Sequence, residues 1–272
     1  MHHFNQPWLI CFDVDHTLLS DDQLLLPMTE KTIRELQAQG KKIILATGKN
    51  LGATRDIVDR LQLDDPLIFA NGSLVQYRNG KVLFQHEIKP CRTRHVLQLG
   101  EEQGMDMMLY TINDTAIKAG GRFSHALDKY GHPKSKEVIR WEDIETDLDH
   151  ILKIVFIDED SQKLKKMDRI LKEKIPNEIS TCFSLPILLE VQPVGVSKGT
   201  ALEEVARFLE LPRGAIIAFG DGNNDIEMIQ FAGIGVAVEN ATPRLKDVAN
   251  HIVPSNNEEG PAQFLRMLFN LQ

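Results

Sequence analysis

Apolar residues along the chain follow two alternating rhythms. "WLICF" (8–12), "KIILA" (42–46) and "PLIFANG" (66–72) are short continuous apolar runs, the pattern of strands buried on both faces. Between them, 29–40 places Ile33 and Leu36 on one helical face and stops at Gly40, and 51–62 brings Ile57, Val58 and Leu61 together. Strand, helix, strand, helix, strand at this spacing predicts right-handed βαβ units in a parallel sheet.

The pattern then changes. "SLVQYRNGKVLFQHEI" (73–88) holds Asn79-Gly80 between two strand-like runs, a hairpin signal. Beyond residue 86 the chain is more polar and less regular. "HVLQLGEEQG" (95–104) reads as a helix, "MDMMLY" (105–110) and "AIKAG" (116–120) as strands, and "HILKIVFID" (150–158) as a strand. "SQKLKKMDRILKEKI" (161–175) is an amphipathic helix, and "EISTCF" (178–183) and "PILLEVQP" (186–193) read as strands. From 197 the first rhythm returns. "SKGTALEEVARFLEL" is a helix with Leu202, Val205, Ala206 and Leu209 on one face. "AIIAFGDG" (215–222) is a strand ending in an acid, "NDIEMIQFA" (224–232) a helix, "GIGVAV" (233–238) a strand and "TPRLKDVAN" (242–250) a helix, with "HIV" and a helix from Gly260 closing the chain. The expected architecture is α/β: a Rossmann-like parallel-sheet core from 1–85 and 191–272, interrupted by an inserted α+β cap at 86–190.

Composition narrows the class without changing it. The chain has 272 residues, 42% apolar and 26% charged, an ordinary globular balance with a sizeable core available. A net charge of −8 argues against a nucleic-acid binder, which needs a basic face. Cys11, Cys91 and Cys182 are odd in number and far apart with no CxxC, so reduced thiols and a cytoplasmic location are expected, not disulfides or zinc. The opening "MHHFNQPWLICF" has neither the basic start nor the apolar stretch of a leader peptide, and no run approaches the ~18 apolar residues of a membrane span. His2 and His3 are too few for a tag or a metal site.

Three expected core strands end in unusual polar groups: Asp13 and Asp15, then Thr47, then Asp221. In open α/β sheets the carboxyl ends of strands form the ligand crevice, so these groups should converge. Two carboxylates ~4 Å apart repel by roughly 4 kcal/mol at a surface-like dielectric. With Asp221 and Asp225 added, the cluster requires a cation, and a hard oxygen-seeking divalent ion, Mg²⁺, answers best. Each piece alone reads as a helix cap or a turn: an acid after a strand, a "TG", or "GDGNND". Their joint occurrence, in order and at strand ends, is what indicates chemistry.

"DVDHTLL", "ATGK", "GVSKGTAL" and "AFGDGNNDIEMI" together resemble the four motifs of the haloacid dehalogenase (HAD) superfamily. The tail "GVAVENATPRLKDVANHIVPSNNEEG", with the position of the insert, resembles the Cof-type phosphatases, whose α/β cap lies between the second and third motifs. The resemblance implies that Asp13 is a nucleophile forming an aspartyl-phosphate, and that Asp15 protonates the leaving oxygen and then activates water. Side chains two apart in an extended segment point the same way, which suits that division. It further implies that Thr47 holds the transferring phosphoryl group and that Lys198, at a helix N-terminus, offsets charge on phosphate and on Asp13. Gly48, Lys49 and Asn71 would bind substrate; Asp13, the backbone carbonyl of Asp15, and Asp221 would hold Mg²⁺; Asn224 and Asp225 would orient water and Lys198.

Three positions depart from the family pattern. His16 replaces the usual glycine, Lys49 replaces the commoner arginine and so loses bidentate geometry, and Glu239 stands where small residues are usual. The leading expectation is a Mg²⁺-dependent phosphatase for a small phosphorylated metabolite, a sugar phosphate or similar phosphomonoester. Phosphomutase-type transfer between hydroxyls is the enzymatic alternative. A non-catalytic phospho-ligand binder or Asp13-phosphorylated receiver is the other, against which the retained Asp15 and the insert both argue. Substrate identity and oligomeric state are not encoded in any motif of the chain.

Overall fold

The computed structural model describes residues 8–112, 114–122, 135–144 and 148–272; the opening stretch with His2 and His3 lies outside them. The chain begins with β1 (Leu9–Phe12), α1 (Pro27–Ala38), β2 (Lys42–Leu45), α2 (Leu51–Leu61) and β3 (Leu67–Phe69). A hairpin of β4 (Leu74–Gln76) and β5 (Val82–Gln85) follows. Next come α3 (Pro90–Glu102), β6 (Asp106–Tyr110), β7 (Thr115–Lys118), β8 (Lys136–Val138), β9 (Lys153–Ile157), α4 (Ser161–Lys174), β10 (Ile179–Leu185) and β11 (Leu188–Pro193). The last part comprises α5 (Lys198–Phe208), β12 (Ile216–Gly220), α6 (Ile226–Phe231), β13 (Ile234–Val238), α7 (Pro243–Lys246), β14 (His251–Val253) and α8 (Gly260–Phe269).

The main sheet has the order β14-β13-β12-β1-β2, and all its pairings are parallel. β1 lies between β12 and β2, with Leu9 facing Ile216 on one side and Lys42 on the other. Its four side chains are fully buried, as the continuous apolar run predicts for a strand covered on both faces. Phe12 stacks on Phe219 of β12 at 5.0 Å between ring centres, and Phe264 of α8 meets Phe219 edge-on at 6.0 Å. The C-terminal segment also closes the N-terminal one. Glu259 accepts from the Thr29 backbone N–H (2.6 Å) and hydroxyl (3.0 Å), placing a carboxylate on the otherwise unpaired first turn of α1.

The expected third parallel strand differs. β3 touches β2 through a single parallel bridge, Ala46 to Ile68, and otherwise pairs antiparallel with β4 in a small β3-β4-β5 sheet. The chain turns back at once after β3, with Ala70 and Asn71 both at positive φ, so the run has no length to extend along β2. The Asn79-Gly80 hairpin forms as expected, with Gly80 at φ +85. α3 begins at Pro90, earlier than the apolar pattern suggests, because proline suits the first helical position. α7 is four residues long, not nine, because Asn250 pairs with Gly235 through both backbone and side chain and draws the chain into β14.

Residues 106–193 form a second, six-stranded sheet of order β10-β11-β9-β6-β7-β8. It is antiparallel except for the β7–β8 pair, and β8 carries too little apolar signal to be read from sequence. One face packs on α3 and α4 through Val96, Leu97, Leu164, Met167 and Leu171. The opposite face, with Tyr110, Val155 and Leu188, joins the main core beside the carboxyl ends of β1 and β2. No helix among the described residues is long and apolar enough to cross a membrane.

Candidate active site

Between the two sheets lies a cleft of about 690 Å³, part of it open to solvent. Its floor is built by the strand ends that the sequence singled out. Asp13 follows β1 directly and continues the sheet, its N–H donating to Phe219 O at 2.9 Å. The chain then makes one wide turn, closed by Leu19 N–H to Val14 O at 2.9 Å, with His16 at φ +58. Asp13 (ψ 156) and Asp15 (ψ 134) themselves keep extended dihedrals, yet the two acids acquire different partners. Asp13 Oδ1 accepts from Lys198 Nζ at 2.6 Å, whereas Asp15 Oδ1 accepts from Lys49 Nζ at 2.7 Å. Thr17, present in "DVDHTLL" but given no role by the sequence reading, ties this turn to the end of β12 by donating to Asp221 Oδ1 at 3.2 Å.

Lys198 opens α5 and is buried between two carboxylates, with Asp225 Oδ1 also at 2.6 Å. Burial works against its charge, but Asp13 and Asp225 outweigh it and raise the ammonium's pKa above the ordinary lysine value. Asp225 spends its other oxygen on the backbone N–H groups of Asp221 (3.1 Å) and Gly222 (2.9 Å). It is thereby fixed as the residue that aims Lys198. Asn224 plays a different part, its Nδ2 donating to Asn71 Oδ1 at 3.1 Å.

On the β2 side, Thr47 is buried, and its hydroxyl oxygen accepts from Lys49 N–H at 3.1 Å, leaving its own O–H to donate. Asn50 caps α2 by accepting from Ala53 N–H at 2.9 Å, so that helix starts at the cleft. Asn71, at φ +55, donates its N–H to Thr47 O at 3.0 Å. The next residue, Gly72, has φ +101, and a Cβ there would lie 2.2 Å from Ser197 O, just before Lys198. Gly72→Ala is expected to lower stability by more than the ~1–2 kcal/mol of the left-handed backbone alone, read as a shift in the urea unfolding midpoint.

The roof contributes residues that the motifs did not reveal. Lys153 Nζ donates to Gly48 O (2.7 Å) and Glu190 Oε2 (3.1 Å) and lies 4.2 Å from the Tyr110 ring centre. Glu190 also accepts from Asn71 Nδ2 and from Ser184 Oγ (2.6 Å). Lys153 and Glu190 are both buried, so each neutralises the other where an unpaired charge would be costly. The legible signal was a lone charge inside each apolar run, "HILKIVFID" and "PILLEVQP", the same anomaly that marked Asp13. Of the family departures, Glu239 is exposed and pairs with Lys246 at 2.9 Å, while Lys49 and His16 both line the cleft.

The donor set suits a hard cation. One oxygen from each of Asp13, Asp221 and Asp225 lies within 4.8 Å of the others. Burial raises the Asp13 carboxyl well above the usual carboxylate range; Lys198 opposes that rise, and Asp225, Asp221 and Asp15 add to it. Burial, then Asp225, pushes Asp221 up to about 7 against the pull of Lys198 and Thr17. Three carboxylates and one ammonium leave a surplus of negative charge that an oxygen-coordinated divalent metal would balance.

A parallel sheet whose strand ends gather carboxylates about one buried ammonium, under an inserted α+β roof, makes a site suited to a hard cation and an anionic ligand. The chain belongs to the haloacid dehalogenase-like hydrolases, whose family model matches residues 10–265. It is 32% identical over 260 residues to the 5-amino-6-(5-phospho-D-ribitylamino)uracil phosphatase YcsE of Bacillus subtilis, covering 95% of this chain and 94% of that protein. The phosphatase YitU of the same organism, named for the same activity, is 26% identical over 98% of this chain and 99% of its own. A haloacid dehalogenase-like hydrolase from Bacteroides thetaiotaomicron superposes with a TM-score of 0.86 at 22% identity, covering 97% and 100% of the two chains. The subclass IIB sugar phosphatase BT4131 superposes with a TM-score of 0.84 at 20% identity over 96% and 98%. The protein is thus a HAD-family phosphatase.

Proposed function

We propose that the chain is a Mg²⁺-dependent phosphatase hydrolysing a small phosphorylated metabolite through an aspartyl-phosphate on Asp13. The observation that carries this reading is the buried Asp13–Lys198–Asp225 chain with Asp221 facing Asp13 at the floor of the cleft. An Asp13 oxygen attacks phosphorus as the bond to the leaving oxygen breaks, and Asp15 gives that oxygen its proton. Asp15 then takes a proton from water, whose oxygen attacks phosphorus and releases Asp13 and inorganic phosphate. Lys49 aims Asp15, while the Thr47 hydroxyl and the Gly48 and Lys49 segment cradle the phosphoryl oxygens. Lys198 stabilises the charge that builds on them. Mg²⁺, held by Asp13, Asp221 and the Asp15 carbonyl, would supply further charge stabilisation at the phosphoryl group. Asp225 orients Lys198, and Asn224 orients Asn71 toward the substrate.

In this reading residues 86–190 are a cap over a core made of 1–85 and 191–272. A cleft roofed by Tyr110, Val155 and Leu188 above the acids suits a small molecule better than a folded phosphoprotein. A sugar phosphate or related phosphomonoester is the substrate class, supported by relatives named for a phosphoribityl compound. The three free cysteines suit a cytoplasmic setting. Phosphate release from p-nitrophenyl phosphate tests the assignment. Turnover should vanish in EDTA and return with added Mg²⁺; undiminished turnover after chelation would overturn the metal requirement.

A further inference from the structure

His16 has no role in the chemistry above, yet it lines the cleft beside Asp15 and Lys49. It holds a left-handed backbone, φ +58, that a glycine would adopt without strain, and such outliers persist where the surroundings over-determine them. Here they do. The His16 carbonyl accepts from Asn240 Nδ2 at 2.7 Å, and His16 Nδ1 lies 3.0 Å from Asp21 Oδ1. Asp21 is itself clamped: Asn256 Nδ2 (3.0 Å) and Asn257 Nδ2 (2.9 Å) donate to its carboxylate, and its N–H donates to Asn257 Oδ1 at 3.0 Å. These bonds, the Asn256 one foremost, hold the Asp21 carboxyl down to about 2, so it remains a fixed acceptor. The ring is therefore locked through one nitrogen, and Nε2 makes no hydrogen bond among the described residues. His16 lines the cleft together with Asp15, the group assigned to the leaving oxygen, so its free nitrogen is the ring atom left to meet a ligand there.

We propose that His16 is a specificity-determining residue whose Nε2 hydrogen-bonds a hydroxyl on the leaving group, on the carbon next to the ester-bearing one, with Asp21 as its positioning residue. The substrate class is then a phosphomonoester of a vicinal diol or polyol. The inference rests on the phosphatase reading above. A purely structural His16–Asp21 tie would change thermal stability and leave substrate preference alone.

The test compares kcat/KM for propane-1,2-diol 1-phosphate and n-propyl phosphate, which differ by that one hydroxyl. Wild type should favour the diol ester by about tenfold or more. His16→Gly, which relieves the backbone, should bring the ratio close to one, and His16→Asn, also tolerant of this φ, should lower it similarly. Asp21→Ala should move the ratio the same way by a smaller amount. Because each ratio is internal to one variant, a general loss of activity cancels. Equal turnover of both esters by wild type, or an unchanged ratio in both His16 variants, overturns the proposal. If wild type hydrolyses neither ester nor p-nitrophenyl phosphate, the phosphatase reading fails first and takes this one with it.

Discussion

Asp13→Asn is expected to cut turnover by at least about a thousandfold while leaving the metal-free protein no less stable. The amide has the shape of the carboxylate and can still accept from Lys198 Nζ, so packing at the end of β1 is preserved. It is a poor nucleophile toward phosphorus, and loss of a covalent nucleophile is among the largest single effects an enzyme shows. Stability should move the other way, because the substitution removes one of two buried carboxylates that share a single ammonium, with Asp221 close by. Steady-state phosphate release and thermal unfolding without Mg²⁺ check the two halves. Asp15→Asn in the same assays should lose about 10²–10⁴-fold, the range for a general acid–base. Turnover in Asp13→Asn matching wild type would remove Asp13 from the nucleophile's role.

Lys198→Met is expected to damage both properties at once. Methionine fills a similar volume, but Asp13 and Asp225 lose the ammonium that each contacts at 2.6 Å inside the core. Leaving buried carboxylates without their partner costs about 3–5 kcal/mol. Catalysis should fall by about 10²–10³-fold, because the preorganised positive charge facing the phosphoryl group is gone. Urea unfolding and kcat measure the two effects. Adding Asp225→Asn should restore part of the stability and none of the activity, since it removes an orphaned charge without replacing the missing one.

How much of this was readable from sequence depends on where each constraint acts. β1 and β12 were legible because buried parallel strands are apolar throughout, and an acid at their ends has no local reason to be there. Asp13, Asp15, Thr47, Lys49, Asn71, Lys198, Asp221, Asn224 and Asp225 were singled out by that route or by family resemblance, and the fold brings them together around one cleft. What stayed hidden were pairings that depend on register. Lys153 and Glu190 meet because β9 and β11 align Val155 with Glu190, bringing both charges to one face, and no spacing along the chain encodes that. The division of labour between Asn224 and Asp225 was equally invisible, since both follow Asp221 in the same short turn. The left-handed state of His16 could be suspected only because other members use glycine there.

The order of the strands also sets a timetable for synthesis. Every strand of the second sheet finds its partners within residues 106–193, so that sheet can form as soon as its own segment has emerged from the ribosome. β1 emerges early, but one of its two neighbours, β12, is made only after the insert is complete. Until then its edge is unpaired, and Asp13 has neither Phe219 O to fix its backbone nor Lys198 to face its carboxylate. In the proposed reaction the attacking residue is therefore encoded near the start of the chain, yet it gains its backbone anchor and its ammonium partner only once the last third has been made.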